Sequence, residues 1–278
     1  MNADVRLLLI SDSHLFSSPE GTLRGVQTLA SLQRVLAHAA ADLREADAVL
    51  CNGDIVNDEP GGYAHFARLL GSVGRPVYCV PGNHDDPVRL RAALARAPFQ
   101  VGGHVDLGPW RIVLVDSCVP GRAGGRISTA QLEALQRSLE GCERHVMVCL
   151  HHQPVGMASR WLDAVGVENS AEFLGLLDAH RQVRVICWGH VHQCLDTRRR
   201  DVRLLATPST CVQFLPLSGE FALDQRPPAY RRLTLHADGS LDTQVVWLER
   251  HGRQARAQDS SVPCASISGT STRSRALG

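Results

Sequence analysis

Apolar positions along this chain gather into short runs, and five of those runs end in a cluster of polar side chains. Val5 to Ser11 ends in Asp12-Ser13-His14, Ala48 to Cys51 in Asn52-Gly53-Asp54, and Pro76 to Val80 in Pro81-Gly82-Asn83-His84-Asp85. Later, Val146 to Leu150 ends in His151-His152-Gln153-Pro154 and Val183 to Trp188 in Gly189-His190-Val191-His192. Runs of this kind suit strands buried on both faces. Between them the spacing turns helical. Leu29, Leu32, Val35, Leu36, Ala39 and Leu43 predict a helix over Gln27 to Arg44, and Tyr63 to Leu70 a second between Gly61-Gly62 and Gly71. Another helix starts near Pro87, with Asp85 or Asp86 as its cap. Ser128-Thr129-Ala130-Gln131 has the form of a capping box opening a helix to about Leu139, and Glu172 to His180 is also helical.

Strands alternating with helices predict right-handed, parallel βαβ units, which bring all the polar strand ends to one edge. Val101 to Val105 and Trp110 to Asp116, joined through Leu107-Gly108-Pro109, predict a hairpin in a second sheet. Val202 to Thr207, Cys211 to Phe214, Tyr230 to Leu235 and Thr243 to Leu248 are expected to complete that second sheet, the last two as a hairpin turning at His236 to Ser240. Beyond Glu249 large apolar residues nearly vanish. One domain over residues 1–250 and a disordered tail over 251–278 are therefore expected.

Composition narrows the function classes. With 278 residues and 44% apolar side chains, the chain can bury a sizeable core. Its 29 basic residues, all arginine, balance 28 acidic ones, so there is no charge case for a nucleic-acid or membrane partner. The nine cysteines form no Cys-x-x-Cys pair and fall mostly inside apolar runs (Cys51, Cys79, Cys149, Cys187), as small buried hydrophobes do in a reducing compartment. Leu7 to Ile10 is too short for a signal-peptide core, and the expected location is the cytoplasm. Oligomeric state is not legible.

Any one polar strand end is accounted for by an ordinary loop; five converging ones are not. Asp12-x-His14, Gly53-Asp54, Gly82-Asn83-His84-Asp85, His151 and Gly189-His190-x-His192 supply carboxylates, an amide oxygen and several imidazoles, which suit divalent transition metals. So many ligand-type side chains exceed one ion's needs and point to a two-metal centre about 3.5 to 4 Å across. A structural zinc would favour cysteines in the ligand motifs, and none is there. Asp54, beside Gly53, is the best candidate for a bridging carboxylate.

In this order the motifs resemble the calcineurin-like metallophosphoesterase superfamily over about residues 5 to 250. Ile10 to Phe16, Gly189 to Gln193 and above all Leu204-Leu205-Ala206-Thr207-Pro208-Ser209-Thr210-Cys211-Val212-Gln213-Phe214 are similar to its class III, bacterial type of 3′,5′-cyclic AMP phosphodiesterase. The resemblance implies a four-layer αββα sandwich of two mixed sheets flanked by helices. It implies Asp12, His14, Asp54 and His192 on one metal, Asp54, Asn83, His151 and His190 on the other, and iron or manganese ahead of zinc or cobalt. His14, Asp54, Asn83, His84 and His192 would face a cyclic nucleotide substrate, with Asp54 and His84 catalytic. Two such ions make water a nucleophile at neutral pH, and His84, pointing away from Asn83, is placed to protonate the ribose 3′ oxygen. Asp85 is a candidate to orient His84. His152 is less suited to ligation, and Asp58 has no settled role, since the superfamily often has Asp where this chain has Asn57. The alternatives are a phosphodiesterase or phosphomonoesterase of broader specificity, including 2′,3′-cyclic nucleotides, and a non-catalytic scaffold of the same fold.

Overall fold

The structure, a computed structural model, describes residues 4–249; the expected tail lies outside the described residues. The chain opens with β1 (Val5–Ile10), a small hairpin of β2 (Thr22–Leu23) and β3 (Val26–Gln27), and the helices α1 (Thr28–His38) and α2 (Ala40–Glu45). Then come β4 (Ala48–Cys51), α3 (Gly62–Gly71), β5 (Val77–Cys79), α4 (Pro87–Ala93) and β6 (Phe99–Val101). The hairpin of β7 (Gly103–Leu107) and β8 (Trp110–Leu114) leads to α5 (Thr129–Leu139), β9 (His145–Cys149), α6 (Arg160–Asp163), α7 (Ser170–Asp178) and β10 (Val183–Trp188). The last part holds β11 (Leu195–Arg199), β12 (Val202–Ala206), β13 (Gln213–Phe214), β14 (Leu223–Asp224), β15 (Ala229–Leu235) and β16 (Leu241–Trp247).

Two six-stranded sheets result, ordered β16-β15-β1-β4-β5-β6 and β11-β12-β10-β9-β8-β7. Side-chain alternation explains the layering. In β1, Leu7 and Leu9 point between the sheets, where they meet Ile112, Met147 and Val185 of the second sheet, while Leu8 and Ile10 point outward into a cluster with Leu32, Val35, Phe66 and Leu70 of the helices. In the second sheet Val146, Val148 and Ile186 likewise face Leu135, Leu139 and Phe173. Three apolar interfaces make four layers, αββα, and every central strand is buried on both faces. No helix of the described residues is long and apolar enough to cross a membrane.

Three expectations need correction. The C-terminal hairpin does not complete the second sheet: β15 pairs antiparallel with β1, Val5 opposite Leu235, and so joins the first sheet. Of the four runs expected in the second sheet, only β12 belongs there, and β13 pairs with β14 alone. Strand period does not name a strand's partner. What fixes this one includes Arg231, whose buried guanidinium leaves the first sheet to donate to the carbonyls of Leu195 and Ala206 in the second at 3.0 and 2.7 Å. The helix expected over 27–44 is two helices bent at Ala39, with Leu43 of α2 still packed in the cluster of Leu32 and Val35. The capping box at Ser128 is half formed. Ser128 accepts from Gln131 N, but the Gln131 carboxamide accepts from Asp116 N instead of closing the box.

A surface staple ties the hairpin to the chain's start. His236 sits between Asp4 and Asp242, with Nδ1 and Nε2 at 2.9 and 3.0 Å from their carboxylates, and its carbonyl accepts from Trp110 Nε1 of the second sheet. Hydrogen bonds to Asp242 and then Asp4 raise the His236 pKa above its ordinary value. A raised folded pKa contributes stability below the unfolded value that is lost as pH rises through the folded one. His236→Gln is therefore expected to lower the melting temperature at about pH 5.5 and to have a smaller effect at about pH 8.5. Thermal melts of both proteins at the two pH values check this.

Candidate metal centre

All five polar strand ends meet at the carboxyl edges of β1, β4, β5, β9 and β10, where the middle strands of the two sheets come together. The loops after β1 and β4 run in step. Asp12 N donates to Gly53 O at 3.0 Å, His14 N to Asp54 O at 2.9 Å and Leu15 N to Ile55 O at 2.9 Å. Asp85 fastens the loop after β5 to them, its carboxylate accepting from the backbone of Ile55, Val56 and Gly82 and from the Tyr63 hydroxyl. Asp85 thus holds loops together and neither orients His84 nor caps α4, two of the roles open to it from sequence. Asp86 is the residue that caps α4. Close approach requires glycine at several positions, Gly82 and Gly189 among them. A Cβ on Gly82 would overlap the Asp54 carboxylate and backbone, and one on Gly189 would overlap Ser11 Oγ and stand 2.9 Å from both Asn52 O and Asp12 Oδ2.

The turns are strained where the chemistry is. Asp12, His14, Asp54, His190 and His192 have φ of +53, +45, +49, +63 and +46°. Left-handed backbone at non-glycine residues costs about 1 to 3 kcal/mol each and persists only where the surroundings enforce it. Much of the enforcement comes from the long segment Thr207 to Gln213. Ser209 Oγ donates to Asp12 O at 2.8 Å, Thr210 N to Ser11 O at 3.0 Å, and Ser31 Oγ to Thr210 O at 2.6 Å. The run that carried the narrowest sequence resemblance is a buried brace behind the first strand end.

Donor atoms then converge. Asp54 Oδ1 accepts from His84 N at 2.9 Å, which leaves Oδ2 facing His151 Nε2 at 3.3 Å and His14 Nε2 at 3.6 Å. His14 Nε2 and His192 Nε2 stand 3.1 Å apart, His192 Nε2 is 3.5 Å from Asp12 Oδ1, and His151 Nε2 is 3.1 Å from Asn83 Oδ1. Ligands about 2.1 Å from one ion stand about 3.0 to 3.4 Å from each other, so these separations suit shared cations. The far ring nitrogens fix the tautomers. His151 Nδ1 donates to Asn52 O and His192 Nδ1 to Val212 O, both at 2.7 Å, which turns each Nε2 lone pair inward. At His151 a lone pair, a carboxylate oxygen and an amide oxygen face one another; only a cation or a proton relieves that repulsion. Asp12 Oδ2 and His190 Nε2 are buried with no protein hydrogen-bond partner, as two further ligand atoms would be.

Electrostatics agree with this fit. Burial holds His14 down at about 4, and His190 and His192 well below their ordinary value, so each offers a neutral ring. Burial would raise Asp54, but His151, His14 and His84 outweigh it and keep the carboxylate ionised. The same attraction overrides burial at His151 and raises it to about 9, marking where the site draws positive charge. Burial, reinforced by Asp54, pushes Asp12 up to about 7.

His152 lies within reach of His151 and His190 but spends both ring nitrogens on the protein, Nδ1 on Ser117 Oγ at 2.8 Å and Nε2 on Ala123 O at 3.2 Å. It is structural. His84 points to the centre's open side, with Nδ1 at 2.9 Å from Asp58 Oδ2. Asp58, one position beyond Asn57, is thus the carboxylate that orients His84, a pairing that sequence spacing alone did not reveal because it depends on how the second and third loops cross. A cavity of about 190 Å³ opens here, lined by His14, Asp54, Asn83, His84, His190 and His192 below and by Leu23, Arg24, Leu162, Phe214 and Phe221 at the mouth. The mouth residues were missed from sequence; the hairpin signal at Arg24-Gly25 was the available clue. A larger open groove of about 570 Å³, beside Arg6, Asp42 and Arg232, is away from these ligand groups.

Comparison with known proteins adds independent findings. Residues 5–194 match the family described as calcineurin-like phosphoesterase. The chain is 39% identical over 246 residues to the 3′,5′-cyclic adenosine monophosphate phosphodiesterase CpdA of Pseudomonas aeruginosa, covering 88% of this chain and 90% of that protein. It is 41% identical to the Escherichia coli protein of the same name, with 87% and 90% covered. Among solved structures, a dimetal phosphatase from Danio rerio superposes with a TM-score of 0.59 at 16% identity, covering 84% of this chain and 95% of that one. A purple acid phosphatase from yellow lupin gives 0.60 at 14% identity, covering 89% and 52%. At those identities the structures speak to fold alone.

If Asp54 bridges two cations, its removal leaves them facing each other with no shared counter-charge. Asp54→Ala is expected to retain less than one equivalent of metal after dialysis, where the unaltered protein keeps about two. Elemental analysis of the purified proteins checks this, and two retained equivalents in the variant would reject the bridge.

Proposed function

The chain belongs to the calcineurin-like phosphoesterase family, and from that premise we propose that it hydrolyses 3′,5′-cyclic AMP to 5′-AMP at a two-metal centre. Asp12, His14, Asp54 and His192 would hold one divalent ion, and Asp54, Asn83, His151 and His190 the other. Iron and manganese suit these mixed nitrogen and oxygen donors. When bound, the pair supplies an activated water and neutralises charge building on the phosphoryl oxygens. The observation that carries the proposal is the convergence of electron-pair donors around Asp54 Oδ2, joined to near-full-length similarity to two cyclic AMP phosphodiesterases.

The chain's own groups do the rest. The Asn83 amide nitrogen, left free if its oxygen ligates, is placed to donate to the phosphate over the carboxyl edges of the strands. His84 then gives its Nε2 proton to the ribose 3′ oxygen as the P–O3′ bond breaks. Burial lowers its pKa, but Asp54 and Asp58 outweigh that and raise it, which favours the proton that a general acid must carry. Asp58 fixes the ring through Nδ1 and is a positioning residue.

Purified protein assayed with cyclic AMP and with a p-nitrophenyl phosphodiester tests both the activity and the acid. A ribose alkoxide needs a proton to leave, whereas p-nitrophenolate does not. His84→Ala should keep its metal yet lose about 10²- to 10⁴-fold on cyclic AMP and far less on the chromogenic ester. Equal losses on both would reject the acid role, and no turnover of cyclic AMP by the unaltered enzyme would reject the activity. Asp58→Asn removes a group that raises the His84 pKa, so the alkaline limb of the pH–rate profile for cyclic AMP should move to lower pH, with kcat reduced about tenfold.

A further inference from the structure

The mouth of the cavity is built by two short ribbons that the hydrolytic chemistry leaves without a task. The β2–β3 hairpin turns at Arg24 and Gly25, with φ of +50 and +84°, and projects Arg24 over the opening. The β13–β14 ribbon contributes Phe214 and leads out of the loop that bears Phe221. The Arg24 guanidinium carbon lies 4.9 Å from the centroid of the Phe221 ring. Phe221 is 44% exposed although it borders the cavity, so a large apolar ring is left partly in water beside the metal centre. Its orientation is fixed by edge-on contacts with Trp161 at 5.2 Å and Phe214 at 5.3 Å. Phe214 in turn lies flat on the His192 ring at 4.0 Å and 9°. One continuous aromatic wall runs from a metal ligand out to the mouth.

We propose that Arg24 and Phe221 form a stacking clamp for the base of a purine cyclic nucleotide whose phosphate occupies the metal centre; this rests on the activity proposed above. A guanidinium is weakly hydrated and keeps its affinity for flat π systems, so it can exchange the Phe221 face for a base at little cost. The base then covers the ring that water now touches. Apart from the expected ligands and His84, the cavity is lined by the polar Arg24 and Asn57 and by the apolar Leu23, Leu162, Val212, Phe214 and Phe221. Apolar side chains outnumber polar ones there, so the clamp reads stacked area more than base edges. A purine offers more area than a pyrimidine. The pair therefore sets preference for purine cyclic nucleotides and adds affinity that a substrate without a base does not receive.

Steady-state kinetics of the metal-loaded enzyme on cyclic AMP, cyclic CMP and the base-free 1-deoxyribose 3′,5′-cyclic phosphate tests the clamp. Phe221→Leu keeps apolar bulk and loses the π face. Its ratio of kcat/KM for cyclic AMP to that for the base-free ester should fall about 10- to 100-fold, and the preference for cyclic AMP over cyclic CMP should shrink with it. Phe221→Trp should restore both ratios. Arg24→Asn, at an exposed turn whose left-handed φ asparagine tolerates, should lower the first ratio about 3- to 10-fold. If the ratios of Phe221→Leu and Arg24→Asn match those of the unaltered enzyme while cyclic AMP is still hydrolysed, the clamp is overturned and the activity stands. An unaltered enzyme that cleaves the base-free ester and no cyclic nucleotide overturns both.

Discussion

The Asp54 carboxylate governs this structure. One of its oxygens is pinned by the His84 amide, and the other faces the Nε2 atoms of His151 and His14 at 3.3 and 3.6 Å. Electron-rich atoms packed this closely in a buried pocket repel each other unless positive charge lies among them. The rest of the site can be understood as the scaffolding that enforces the arrangement.

That enforcement draws on distant parts of the chain. Strained left-handed turns at five expected ligands are held by backbone bonds between the first two loops, by Asp85 beneath the second and third, and by Ser209 and Thr210 behind the first. Each fastening is buried and polar, so losing one partner strands another in a place water does not reach. Glycine at 82 and 189 lets neighbouring loops approach within contact of one another. The cost of strain at the centre is thus met by hydrogen bonding in the layers around it.

The same pattern separates roles among chemically identical side chains. His151 and His152 are adjacent, both buried and both ringed by polar groups. One turns a free nitrogen toward Asp54, while the other spends both nitrogens on Ser117 and Ala123. His84 is set apart from the remaining imidazoles by its carboxylate partner Asp58 and by its place on the open side of the cavity. Three histidines of one site are placed in three different settings because the hydrogen bonds around each differ.

The sequence by itself determined which segments end in polar clusters and which side chains are candidate ligands. Apolar runs buried on both faces, helical spacing between them and polar clusters at their ends are local patterns that brought the polar strand ends to one edge, and the order of those motifs gave the family resemblance that implied the αββα sandwich and the candidate ligands Asp12, His14, Asp54, Asn83, His151, His190 and His192. Only the tertiary structure decided that the C-terminal hairpin joins the first sheet, that Asp58 orients His84 while Asp85 binds loops, and that Arg24 meets Phe221 at the mouth. A residue's period and its neighbours report which face it takes and how its own segment turns. Contacts between residues tens or hundreds of positions apart depend on how separate segments cross, and that is settled by packing the whole core at once.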